Sequence, residues 1–102
     1  MARSEPNDAV VLTVTASAVI SNRNCIISGV AVAAAATTCS VALYDPPVGT
    51  TTSTGATLRV VLNAIAADTV VWHCDGGAQF LNGCVAVVTG TGAQATVVSA
   101  VI

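Results

Sequence analysis

The chain of 102 residues has no lysine, one glutamate and only eight charged side chains in all. Arg3, Arg23 and Arg59 stand against Glu5, Asp8, Asp45, Asp68 and Asp75, a formal net charge of −2. Binding to DNA or RNA draws affinity from several clustered cations that displace phosphate counterions, and three separated arginines cannot supply that, so direct nucleic-acid binding is not expected. Long apolar runs are also missing. The longest, residues 30–36, is seven residues, against the roughly 20 that a spanning helix needs. Residues 10–20 are apolar but interrupted by Thr13, Thr15 and Ser17 and preceded by Glu5 and Asp8, which makes a poor secretory core. The expectation is a soluble chain without a targeting segment or membrane partner.

What the chain does contain is branched at Cβ. Eighteen valines, thirteen threonines and five isoleucines outnumber five leucines. Branching restricts rotamers on a helix and suits a pleated sheet, so strands are favoured. Nineteen alanines are the opposing signal, yet the run 33–36 is too short for an independent helix. Residues 1–9, with Pro6, read as a flexible arm, and residues 10–102 as a single domain. Alternation marks residues 10–20 as one long strand or two joined by a bend, then strands at 25–32, 39–44, 57–63, 69–74, 78–81, 84–89 and 94–101. Asp45-Pro46-Pro47 ends a strand because two prolines remove two backbone donors. The polar segment 49–55 reads as an exposed connection. Asp75-Gly76-Gly77 reads as a tight turn, and Asn82-Gly83 as a hairpin turn or an edge bulge. About eight short antiparallel strands without helices predict an all-β protein, a β-sandwich or jelly roll.

Candidate chemistry is sparse. Four cysteines admit three complete disulfide pairings, and local reversals favour Cys25 with Cys39 and Cys74 with Cys84; four buried thiols are the alternative. No Cys-x-x-Cys unit occurs, and His73 and Cys74 point to opposite faces of a regular strand, so neither metal nor cofactor is implied. His73 with Asp68 or Asp75 and a cysteine or serine has the composition of a triad but no nucleophile elbow around it. Gly90-Thr91-Gly92 lacks the Lys-Ser/Thr of a phosphate loop and reads as a strand connection. A non-enzymatic role is expected. Trp72 and Phe80 are expected to fill core, whereas Tyr44, beside the proline break, is a candidate contact residue.

The outer parities carry the functional reading. Val11 with Val19, Val61 beside Arg59, Val71 beside Thr69, and Val85 with Val87 fall on positions that a lone sandwich would give to water. A small domain already leaves much of its surface exposed, so neighbours are expected to cover these positions. Val11, Tyr44, Arg59, Val61 and Val71 are the contact candidates, and a symmetric homo-oligomer, a trimer among the arrangements considered, is the expected state.

The stretches Val14-Thr15-Ala16-Ser17-Ala18-Val19-Ile20, Val41-Ala42-Leu43-Tyr44-Asp45 and the segment from Phe80 through Asn82-Gly83-Cys84 to Ala93 resemble small β-rich virion proteins of tailed bacteriophages. The resemblance implies a capsid cement or decoration protein located in the virion, assembled in the host cytoplasm, with the major capsid protein or another virion protein as partner. A neck, tail or head-fibre component, or a carbohydrate- or host-surface-binding module, are the alternatives. The four cysteines, Cys84 above all, depart from the pattern.

Overall fold

The computed structural model describes residues 10–101, in which there are eight strands and no helix. They are β1 (Val10–Val14), β2 (Ala18–Ser21), β3 (Cys25–Ala33), β4 (Cys39–Asp45), β5 (Thr57–Ala64), β6 (Thr69–Phe80), β7 (Cys84–Thr89) and β8 (Gln94–Val101). The arm expected over residues 1–9 lies outside the described residues.

The pairings nest: β1 with β8, β2 with β7, β3 with β6 and β4 with β5, all antiparallel. Two further pairings, β3 with β8 and β4 with β7, close the ribbon into two four-stranded sheets. Sheet A has the order β1-β8-β3-β6 and sheet B the order β2-β7-β4-β5. This is the winding of a jelly roll, a long two-armed ribbon folded at the β4–β5 loop and rolled so that its arms alternate between sheets. The Asp45-Pro46-Pro47 break sits at that fold, where no ladder needs the missing donors.

Alternation along each strand fills the interior. Ile27, Val30, Val32, Val41, Leu43, Phe80 and Val97 are fully buried. The alanines that argued for helix instead pack between the sheets: Ala86, Ala93 and Ala95 are buried in the core cluster. A methyl side chain lets two sheets approach where valines opposite already occupy the gap.

Of the two readings of residues 10–20, two strands joined by a bend is the one the structure has, and the bend at residues 15–17 carries the chain from sheet A to sheet B. Two details differ from the sequence reading. Asp75-Gly76-Gly77 is no hairpin turn but part of a bulge inside β6. Ala78 still pairs with Ile27 and His73 with Gly29, so residues 74–77 lie opposite Ser28 alone. Gly76 and Gly77 take φ of 78° and 80°, and a Cβ on Gly77 would collide with the Ile26 side chain. The glycine pair thus lets a strand buckle while both of its flanks stay hydrogen-bonded.

Asn82-Gly83 is likewise no hairpin, since β6 and β7 belong to different sheets. The Asp45 carboxylate holds this crossover, accepting the N–H groups of Leu81 at 2.9 Å and Asn82 at 3.0 Å. The Asn82 side-chain amide donates to the Pro46 carbonyl at 3.1 Å. Gly83 passes so close to β2 that a Cβ there would lie 2.5 Å from the Ser21 carbonyl oxygen.

Candidate interaction surface

Register places the outward side chains in rows. On sheet B one row runs Val19, Val85, Tyr44 and Leu58, and the next runs Val87, Ala42 and Val61. Thr89, Ser40 and Asn63 form a polar row beyond them. Val19, Leu58 and Val61 are 42, 50 and 45% exposed, Tyr44 is half-buried and Val85 is covered. These rows hold no charged side chain. Sheet B therefore presents a face of aliphatic and aromatic groups with a hydroxyl and amide rim, the anatomy of a contact patch.

The outer face of sheet A is mixed. Its rows are Gln79, Ile26 and Ala100, then Val11, Val98, Gly29 and His73, then Thr13, Thr96, Ala31 and Val71, and last Gln94, Ala33 and Thr69. Val11 and Val71 are 64 and 68% exposed, but they sit on opposite edge strands, β1 and β6. The Thr13 and Thr96 hydroxyls are hydrogen-bonded at 3.1 Å between them.

The five contact candidates therefore divide. Tyr44 and Val61 share the face of sheet B, and Val11 and Val71 lie on sheet A. Arg59 belongs to neither. It occupies a bulge in β5, where Leu43 pairs with Val60 and Tyr44 with Leu58. Its guanidinium donates to the Gln79 carbonyl at 3.2 Å and lies 5.8 Å from the centroid of Phe80. The arginine thus bridges the two sheets along their β5–β6 side, a cation over a buried ring. Leu58 is missing from the sequence reading, and Val19, read there beside Val11, instead lies in one row with Val85, Tyr44 and Leu58. Only the Leu43/Tyr44 register shift brings Leu58 to the same side as Tyr44, and strand parity alone does not contain that shift.

All four cysteines are free thiols, Cys25, Cys39 and Cys84 buried and Cys74 half-exposed. Neither favoured disulfide forms. Cys25 pairs with Phe80 and Val101 at one end of the sandwich, whereas Cys39 pairs with Ala64 at the other. Cys74 lies on the edge strand β6, with its Sγ 3.9 Å from the Asp75 carbonyl, and Cys84 lies inside sheet B. Chain reversal was the wrong guide because β3 and β4, like β6 and β7, lie in different sheets. The thiols that do become neighbours are Cys25 and Cys84. Burial pushes the Cys84 thiol from its usual 9.0 up to about 12, with the Cys25 sulfur and the Asp45 carboxylate adding to the effect. Burial also raises Cys25; a hydrogen bond with Ser21 opposes this and the Asp45 charge assists it.

His73 Nδ1 lies 3.6 Å from Asp75 Oδ1 on the exposed bulge. Asp68 is elsewhere, its Oδ1 accepting the Thr69 N–H at 2.8 Å. Among the described residues no group of three or more His, Cys, Asp or Glu side chains converges to hold a metal ion, and no helix is long and apolar enough to cross a membrane. Trp72 faces inward, packed against the core cluster, and Phe80 is fully buried. Gly90-Thr91-Gly92 connects β7 to β8, the Ala93 N–H donating to the Gly90 carbonyl at 3.3 Å.

No protein-family model, no curated protein and no solved structure significantly matches the chain.

Proposed function

We propose that this chain is a structural protein of a tailed-phage virion, a cement or decoration protein that binds assembled shell and shifts the assembly equilibrium toward the intact particle by mass action. The observation that supports the reading is a thin sandwich with exposed aliphatic side chains on both outer sides: Val19, Leu58 and Val61 on sheet B, Val11 and Val71 on sheet A. A protein that seals junctions must touch more than one neighbour at once. Aliphatic side chains exposed on two opposed faces permit that, while a single pocket or patch does not. Burying about 1,000 Å² of such surface contributes on the order of 20 kcal/mol in gross transfer free energy before association and ordering costs, so contact with neighbours outweighs the small repulsion of a net charge of −2.

The inward placement of Trp72 leaves the carbohydrate-binding alternative without a stacking ring on the outer faces beyond Tyr44. The test is co-sedimentation of the purified chain with empty, expanded phage shells. Saturable binding and a higher shell melting temperature are expected. Absence of binding at micromolar concentration rejects the cement role, and electron cryomicroscopy locating the chain on neck or tail would replace it.

A further inference from the structure

We infer that Asp75-Gly76, on the exposed bulge of β6, is a site of spontaneous covalent modification, where aspartate converts through a cyclic imide to β-linked isoaspartate. The chain has two places at which an Asp or Asn side chain precedes glycine, Asp75-Gly76 and Asn82-Gly83. At both, the absence of a Cβ lets the glycine nitrogen approach the carbonyl carbon of the preceding side chain. In an unfolded chain Asn82-Gly83 is the faster of the two, because a neutral amide accepts a nucleophile that an ionised carboxylate repels. The fold reverses that order.

Asn82 is tied down. Its N–H donates to the Asp45 carboxylate and its side-chain amide donates to the Pro46 carbonyl. Gly83 is buried, pressed against the Ser21 carbonyl and the backbone of Asn22 and Arg23. Cyclisation there requires both hydrogen bonds to open first, which slows it at least about tenfold relative to the unfolded chain. Asp75 has no such restraint. Its side chain is 100% exposed, and the one partner of its carboxylate among the described residues is His73 Nδ1 at 3.6 Å, beyond hydrogen-bond length. Asp75 and Gly76 lack register partners on β3 and lie on an edge strand, and a Cβ on Gly76 would meet nothing within 4 Å. The carboxyl and the nitrogen after it can therefore close on each other without breaking the ladder.

The step balances within the chain and water. With the Asp75 carboxyl in its neutral form, the Gly76 nitrogen attacks Cγ; the N–Cγ bond forms, the Cγ–OH bond breaks, and the hydroxyl leaves with the amide proton as water. Water then adds to either carbonyl of the imide. Addition at Cγ restores aspartate, whereas addition at the backbone carbonyl carbon breaks the original peptide bond and leaves Gly76 attached through Cγ. One water is lost and one regained, so neither oxidant nor cofactor enters. The product carries one more methylene in the main chain, inside a bulge whose flanks, His73 opposite Gly29 and Ala78 opposite Ile27, stay paired.

The test is ageing of the full chain in neutral buffer over weeks, once folded and once unfolded in guanidinium chloride. Aged samples are digested with an endoproteinase that cuts before aspartate but not before isoaspartate, and Asn82 deamidation is read by mass spectrometry of the digests. The folded chain should progressively lose the cut before residue 75 while Asn82 stays intact, its deamidation at least about tenfold slower than in the unfolded chain. Unfolded chain should deamidate at Asn82 before residue 75 changes. Methyl transfer by a protein isoaspartate methyltransferase should label the aged, folded wild type. Asp75→Glu, whose longer side chain closes an imide far less readily, should abolish that labelling, and the full exposure of the position preserves the fold. An undiminished cut before residue 75 in the folded chain, labelling that survives Asp75→Glu, or Asn82 deamidation at the unfolded rate overturns the inference.

Discussion

Removing the Asp45 carboxylate should loosen the joint between the two halves of the rolled ribbon. Its two oxygens accept the N–H groups of Leu81 and Asn82, the residues at which the chain leaves sheet A for sheet B. Hydrogen bonds to a charged acceptor contribute about 1.5 to 3 kcal/mol each. One of these two bonds is solvent-exposed and the other part-buried, so the low end applies and Asp45→Ala should cost about 3 kcal/mol. For a domain with a typical stability of 5 to 15 kcal/mol this is a large fraction. In urea, with a slope of about 1.5 kcal/mol/M, the midpoint should fall by roughly 2 M. Asp45→Asn retains one carbonyl acceptor and loses the charge, so it should fall between the two. Hydrogen exchange at the Leu81 and Asn82 amides should accelerate first, ahead of the β3 and β8 ladders. A loss below about 0.5 kcal/mol for Asp45→Ala, or unchanged exchange at those two amides, would refute the clamp.

Ala67 holds φ of 63° in the turn closed by the Asp68 N–H on the Ile65 carbonyl at 3.1 Å. Ala67→Gly should relieve about 1 to 2 kcal/mol of left-handed strain, less ~0.5 to 1 kcal/mol of added chain entropy, and raise the melting temperature by a few degrees; a lower melting temperature would contradict it. The Cys84 thiol, raised from 9.0 to about 12, stays protonated in the fold while the unfolded chain ionises. Its contribution to stability is thus complete below pH 9 and lost as the pH climbs toward 12, about 2 kcal/mol by pH 10.5. Urea midpoints at pH 7.5 and 10.5 should show that loss in wild type and a smaller one in Cys84→Ala; equal losses would remove Cys84 as the cause. A thiol reagent should titrate one group in the native protein, Cys74, and four after unfolding without reductant. Fewer than four would mean that a disulfide had formed.

The sandwich was readable along the chain because its signals are local. Val60 and Leu62 against Val61 and Asn63, the proline pair after Asp45, and the scarcity of straight-chain helix formers each act within a few residues, and they place strands to within one or two positions. Glycine was less transparent. A Gly-Gly pair permits both a reversal and a bulge, and only the continued pairing of β3 with β6 on either side of residues 74–77 selects the bulge. The cysteine pairing failed for a related reason, since nearness along the chain says little when the strands that carry each pair, β3 with β4 and β6 with β7, lie in opposite sheets.

Strand content, charge poverty and the presence of more valine than one core can enclose were determined by the residues themselves, because each follows from composition and period. Which valines share a face was decided by tertiary structure. Register is fixed by backbone pairing between segments far apart in the chain, so Leu58 joins Tyr44 and Val19 in one apolar row only once a bulge at Arg59 has turned that arginine into the seam over Phe80.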